Sequence, residues 1–213
     1  RLIIMSKKNE YENKGYLFIK RFLDIVCSGL AIVVLSPIMI ITAIAIMIES
    51  PGNPIFAQDR VGRNGKIFKM YKFRSMCLDA EEKLKKLQEK NEADGPVFKM
   101  KNDPRITKVG HFIRKYSIDE LMQLFNVFKG DMSVIGPRPA LPKEVAVYDD
   151  LAKLRLKVKP GLSCYWQVMG RSNLSFSEWM ELDAKYIREM SLWTDIKIVF
   201  LTIPAIFKGD GAY

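Results

Sequence analysis

Histidine is almost missing from these 213 residues: His111 is the only one. A single histidine excludes Ser-His and Cys-His catalysis and any multi-histidine metal centre. Cysteine is scarce as well. Cys27, Cys77 and Cys164 are far apart, odd in number and without metal-site spacing. That excludes a disulfide framework and points to a reducing, cytoplasmic environment. Neither a P-loop nor a G-x-G-x-x-G motif is present, so any nucleotide is held by other means. Charge is absent from Ile25 to Ile48, a run of 24 residues reading IVCSGLAIVVLSPIMIITAIAIMI.

What the chain does carry is positive charge, 34 Lys+Arg against 24 Asp+Glu, a net of +10. The excess suggests a polyanionic partner: anionic lipid, phosphorylated substrates or nucleic acid. Residues 1–21 hold six basic side chains and form a basic N-terminal segment. The length suits one domain plus a membrane element.

As a helix, the uncharged run would extend about 36 Å, enough for a bilayer core of about 30 Å. It is too long for a signal peptide and no small-residue cleavage site follows it. Pro37 bisects it. Proline removes a backbone donor and frees the carbonyl of Val33, which the Ser36 hydroxyl can satisfy, so a bend is expected. Both flanks are basic, with Lys20 and Arg21 before and Arg60, Arg63, Lys66, Lys69 and Lys72 after. A spanning helix has one basic side; two basic flanks fit a hairpin that enters and leaves by the same face. A re-entrant hairpin and a kinked span both remain open at this point.

Beyond the run, Lys66–Met76 alternates apolar and basic residues, predicting a short strand with one cationic face. Leu78–Glu92 predicts a solvated helix with Glu81/Lys85 and Glu82/Lys86 pairs. Thr107–Tyr116 is helical in pattern. Ser117-Ile118-Asp119-Glu120 has capping-box spacing and predicts a helix over Ile118–Lys129, closed by Gly130. Gly136-Pro137-Arg138-Pro139 reads as a rigid loop and Lys159-Pro160-Gly161 as a turn. Phe176–Met190 is helical. Leu192–Phe207 is very apolar and reads as helix on a bilayer surface, with a buried core helix as the alternative.

Acidic residues in a first turn are usually caps, and Asp119-Glu120 alone says no more. The cations that join it change the reading. Arg114 precedes it, Lys72 comes from the basic strand, and Arg138 sits between two prolines, where a stiff backbone can aim a guanidinium fork at phosphate. A carboxylate beside such an anion pocket can act as a nucleophile on phosphorus, given neutralisation by Mg²⁺ with Lys or Arg. Asp119 or Glu120 could supply oxygen ligands to the ion.

The sequence closely resembles the bacterial sugar transferases, small monotopic phosphoglycosyl transferases. The resemblance is carried in order by Lys20-Arg21-Phe22-Leu23-Asp24, Ser36-Pro37, Gln58-Asp59-Arg60-Val61-Gly62 and the stretch Phe68 to Met76. It continues through Arg114, Ser117 to Asn126, Lys129 to Ser133, Gly136-Pro137-Arg138-Pro139, Lys159-Pro160-Gly161, Gln167 to Arg171 and Glu181-Leu182-Asp183. It departs at Cys164-Tyr165, where many members have a glycine, and at Lys159 for a frequent arginine. Larger members carry an N-terminal multi-helix domain to which nothing in these residues corresponds.

The resemblance implies a mainly α fold with a small β element. A helix–break–helix re-entrant hairpin at Ser36-Pro37 would occupy residues 22–48. Residues 49–213 would form a cytoplasmic, membrane-associated catalytic domain with interfacial amphipathic helices. It implies Asp119 as nucleophile with Glu120 as its partner, both near Mg²⁺; Lys72, Arg114 and Arg138 on phosphate; and Arg171 and Gln167 at the nucleotide. The expected reaction moves a sugar-1-phosphate from a UDP-sugar, UDP-galactose or UDP-glucose first, to undecaprenyl phosphate in the bacterial inner membrane. It would release UMP and begin surface-polysaccharide synthesis. Membrane lipid is an expected partner, a homodimer is allowed, and nucleic acid is not expected because no recognition motif occurs. The alternative is a non-catalytic module that binds anionic lipid.

Overall fold

The computed structural model describes residues 13–87, 100, 102–170 and 174–208. Its longest element is α1 (Lys14–Glu49), 36 residues or about 54 Å of helix. Asn13 caps it by accepting from the Gly15 and Tyr16 amides. α1 inverts the soluble pattern. Phe18, Phe22, Leu30, Val33, Val34, Ile40, Ile41 and Ile48 face outward, while Lys20, Asp24 and Ser28 are buried against the protein. A face of that kind is compatible with burial in lipid. Among the described residues it is the one helix long and apolar enough to cross a membrane.

The break expected at Ser36-Pro37 does not interrupt the helix: α1 runs as one helix through these residues. The Ser36 hydroxyl donates to the Val33 carbonyl at 2.8 Å, supplying the bond the proline cannot make. Both ends of α1 are tied to the same globular body. Near the start, Lys20 Nζ meets Asp195 at 2.6 Å, and Asp24 accepts from Ser133 Oγ and the Val134 amide. At the far end, the Glu49 carboxylate accepts from the Lys108 and Val109 amides, each at 2.8 Å. Met39 and Ile46 pack with Phe73, Ile113 and Leu124.

The body is mostly helical with two small sheets. β1 (Ile55–Val61) and β2 (Ile67–Phe73) form an antiparallel hairpin with Phe56 opposite Lys72 and Arg60 opposite Phe68. The predicted single cationic face on β2 is not found. Lys69 and Lys72 are three residues apart, so strand alternation sends them to opposite faces. Lys69 reaches outward to Asp59, while Lys72 follows buried Phe68 and Met70 inward. α2 (Ala80–Leu87) buries no residue, as its charged pattern predicts; residues 88–92 of that reading lie outside the described residues.

α3 (Lys108–Lys115) starts at Thr107, whose hydroxyl accepts from the Gly110 amide. The expected helix over Ile118–Lys129 divides into a 3-10 helix, Ile118–Met122, and α4 (Gln123–Lys129). Gly130 ends α4 in the left-handed region at φ 98°. The expected capping box is absent because Ser117 is itself left-handed (φ 55°) and its side chain caps nothing. The Glu120 carboxylate meets the cations Lys72 and Arg138.

β3 (Ser133–Ile135) pairs in parallel with β4 (Gly161–Ser163). A Cβ on Gly161 would sit 2.0 Å from the Gly136 amide nitrogen, so the crossing requires glycine. The short helices α5 (Pro142–Val145) and α6 (Asp150–Lys153) lead to β4. α7 (Tyr165–Met169), α8 (Phe176–Glu189) and α9 (Leu192–Lys208) complete the chain. α9 buries Ile198 but exposes Trp193, Val199, Phe200 and Ile203.

Candidate active site

Asn126 is wholly buried in α4. Its Oδ1 accepts from the Tyr71 amide at 3.0 Å and its Nδ2 donates to the Lys69 carbonyl at 2.7 Å. A side-chain amide thus completes the hydrogen bonding of β2 and locks the strand onto α4, which fixes where Lys72 points. Lys72 Nζ lies 2.8 Å from Glu120 Oε1 and 3.8 Å from Asp119 Oδ2. One ammonium therefore bridges two adjacent carboxylates. The left-handed Ser117 makes the sharp turn that brings both acids back over the strand, a local strain of the kind found at functional sites.

Arg138 stands on the other side of Glu120, with NH1 3.7 Å from Oε1. Its loop is held by more than prolines. Arg155 NH2 donates to the Arg138 carbonyl at 2.8 Å, Arg60 NH1 donates to the Pro139 carbonyl at 2.9 Å, and Gly161 N donates to the Pro137 carbonyl. Arg155 is buried and paired at 2.8 Å with buried Asp183. Trp166 and Trp179 stack at 4.8 Å; Arg138 lies over the first ring at 5.3 Å and Arg155 over the second at 4.9 Å.

A single cleft is lined by Arg60, Lys72, Glu120, Arg138 and Gln167, with Gln123 at its floor. Burial, and the like charge of Arg138, push Arg60 down to about 10. Glu144 and Glu120 offset part of this, and the cleft still holds three cations, Arg60, Lys72 and Arg138, against the one lining carboxylate of Glu120, a balance that favours an incoming anion. Burial raises the Asp119 carboxyl above its usual range; Lys72 opposes this, Glu120 adds to it, and Arg114 and Arg138 oppose it. Arg114 acts through space, since no ion pair within 4 Å joins it to Asp119 among the described residues.

Of the residues singled out in the sequence, Lys72, Glu120, Arg138 and Gln167 line the cleft. Asp119 is buried beside it, 3.8 Å from Lys72 Nζ, and Arg114 is coupled to Asp119 by charge alone. Ser36 and Pro37 lie apart in α1. Arg171 lies outside the described residues. Sequence reasoning did not find Arg155, Asp183 and Asn126 as supports. Asp183 and Asn126 sit inside matched motifs, but nothing in their spacing announces a buried partner. Asp119 and Glu120 are neighbouring carboxylates on one short turn, a donor set that suits a hard divalent cation sharing its other positions with phosphate and water.

The family model for bacterial sugar transferases matches residues 15–209. The chain belongs to the bacterial sugar transferase family. It is 45% identical over 211 residues to the galactosyl transferase CpsE of Streptococcus agalactiae, covering 98% of this chain and 46% of that protein. It is 42% identical to the undecaprenyl-phosphate galactose phosphotransferase of Salmonella typhimurium, covering 100% of this chain and 45% of the relative. The exopolysaccharide production protein ExoY of Rhizobium meliloti is 37% identical, with 91% of this chain matching 88% of it. The chain thus spans about half the length of the first two relatives and most of the family member ExoY.

Proposed function

We propose that this chain transfers a sugar-1-phosphate from a UDP-sugar to undecaprenyl phosphate, with Asp119 as nucleophile. The observation that carries the reading is the bridging of Asp119 and Glu120 by Lys72, beside Arg138 and Arg60 on one cleft. The names of relatives add the substrate class: one is a galactose phosphotransferase, another a glucose-1-phosphate transferase, each acting on undecaprenyl phosphate. UDP-galactose and UDP-glucose are accordingly the first donors to try.

In the first half-reaction an Asp119 carboxylate oxygen attacks the sugar-linked phosphorus. The bond from that phosphorus to the bridging oxygen breaks and UMP leaves with the electron pair. Arg138 and Lys72 meet the charge on the transferring phosphoryl, in positions set before substrate arrives. In the second half-reaction an oxygen of the lipid phosphate attacks the same phosphorus and the Asp119 carboxylate is released. Neither half needs a proton transfer. Mg²⁺, held by Asp119 and Glu120, would supply neutralisation of the diphosphate. Gln167, and Arg171 beyond the described residues, are the proposed nucleotide contacts.

We further place α1 as a re-entrant element, entering and leaving by the cytoplasmic face of the inner membrane. The support is the attachment of Lys20, Asp24 and Glu49 to one body, with lipid-like surface between them. The bend at Ser36-Pro37 belongs to this reading, as does the seating of α9 on the bilayer surface. The test of function is direct. Purified protein with Mg²⁺, UDP-galactose or UDP-glucose, and undecaprenyl phosphate should release UMP in large excess over enzyme, whereas omission of the lipid should limit release to about one UMP per enzyme molecule. Absence of UMP with every UDP-hexose and UDP-N-acetylhexose would overturn the reading.

A further inference from the structure

A groove of about 220 Å³ runs beside the cleft between the 3-10 helix of Asp119 and α9. Leu121, Ile135, Val199 and Ile203 give it an apolar lining. Three residues, Glu120, Leu162 and Gln167, belong to both groove and cleft, so the groove has a polar mouth where the phosphate-handling cations stand. Its inner wall is shared with the membrane helix, because Leu121 and Leu162 pack against the cluster that contains Met39 and Ile46 of α1. The outer wall is α9, whose Trp193, Ile196 and Phe200 are exposed. Ser163 Oγ and Thr202 Oγ1, 2.6 Å apart, tie the α9 wall to β4.

We propose that this groove holds the hydrocarbon chain of the acceptor lipid, seating the isoprene units nearest the phosphate while the phosphate lies at the cleft. The assignment rests on the transfer reading above and adds the acceptor's position. A uracil or sugar presents donors and acceptors that an apolar trough leaves unmet, at a cost. A polyprenyl phosphate has the opposite layout, an anion at one end and pure hydrocarbon beyond it. That layout matches an apolar trough walled by the 3-10 helix, the β3–β4 pair and α9, opening beside a cleft that carries Lys72, Arg60 and Arg138.

The test uses Val199→Trp and Ile203→Trp, which fill the groove, with two acceptors in the same detergent: undecaprenyl phosphate and a single-isoprene prenyl phosphate. The readout is the ratio of kcat/KM for long over short chain. Filling the groove should lower that ratio about tenfold or more. General damage to the fold lowers both values together, so the ratio is read on variants whose melting temperature matches wild type, and an unchanged ratio in these would overturn the proposal. A second measurement serves variants that do not fold and does not depend on turnover. Wild-type protein is irradiated with undecaprenyl phosphate carrying a diazirine on the isoprene unit next to the phosphate. Labelling of the α9 peptide, competed by unlabelled lipid, supports the groove. Labelling confined to α1 rejects it. Should wild type release no UMP in any mixture, the transfer reading falls while the cross-link still decides where the chain lies.

Discussion

Arg155 donates from NH2 to the backbone carbonyl of Arg138 at 2.8 Å, so a buried guanidinium holds the backbone of the one that faces the cleft. The same Arg155 pairs with Asp183 and lies over Trp179. Removing one member of a buried ion pair leaves the other charge uncompensated and costs about 3–5 kcal/mol. Arg155→Met should therefore lower the melting temperature sharply. Arg155→Met with Asp183→Leu removes both charges and should recover most of that stability, because well-packed apolar pairs replace buried ions at little cost. Activity should not recover with it, since the Arg138 carbonyl still lacks its donor. Thermal melts and kcat measured on the same samples separate the two effects; a fully active double variant would limit Arg155 to stability.

Arg138→Lys should keep the charge and lose the fork. An ammonium cannot cover two phosphate oxygens in a plane or stack on Trp166 as the guanidinium does at 5.3 Å. Loss of one such donor lowers kcat by roughly 100- to 1000-fold, by analogy with oxyanion-type donors. Turnover within a few-fold of wild type would remove Arg138 from phosphate handling.

The pH dependence follows from Asp119. Burial raises its carboxyl above the usual 3.8, against the opposing pull of Lys72, Arg114 and Arg138. A nucleophilic carboxylate must be ionised, so single-turnover UMP release should fall on the acid side with a midpoint above that value. Arg114→Gln deletes a cation that favours the ionised form. The acid limb should then move to higher pH and the rate at neutral pH should drop. A limb that stays put, or moves downward, would contradict the through-space role of Arg114.

The topology makes its own prediction. Cysteines introduced as Lys14→Cys and Asn53→Cys flank α1 and should both react with a membrane-impermeant thiol reagent from the cytoplasmic side. Labelling from opposite sides would make α1 a span. Pro37→Ala restores the backbone donor and should shift the segment toward spanning.

The parts of this protein most legible in the sequence are those governed by local pattern. The charge-free run, the Ser36 hydroxyl meeting the carbonyl freed by Pro37, the Thr107 start of α3 and the Gly130 stop of α4 all follow from nearest-neighbour chemistry. The motif-borne residues Lys72, Glu120 and Arg138 also come together as expected. What failed was decided at a distance. The spacing of Ser117 and Glu120 satisfies a capping box, but Lys72, 48 residues earlier, takes the Glu120 carboxylate instead. The cationic face assigned to β2 overlooked that two positively charged residues three apart cannot share a strand face. The parallel pairing of β3 with β4 was not foreseen, because two three-residue strands carry no periodic signal and the requirement for Gly161 against Gly136 exists only in the folded chain. Arg155, Asp183 and Asn126 were missed as supports for the same reason: a buried polar residue looks in sequence like an exposed one.

The nucleophile is the central claim, and Asp119 admits a decisive measurement. Wild-type protein is incubated with UDP-galactose or UDP-glucose and Mg²⁺ but no lipid, quenched, digested and weighed by mass spectrometry beside Asp119→Asn. Asn nearly preserves size and leaves the short turn its polar side chain, so the variant should fold and insert while its amide cannot attack phosphorus. The account predicts at most about one UMP per wild-type molecule, a phosphosugar adduct on the peptide containing Asp119, and neither signal from the Asn variant. UMP that appears only when undecaprenyl phosphate is added, with no adduct on any peptide, would instead mean direct transfer between two bound substrates and contradict the assignment of Asp119.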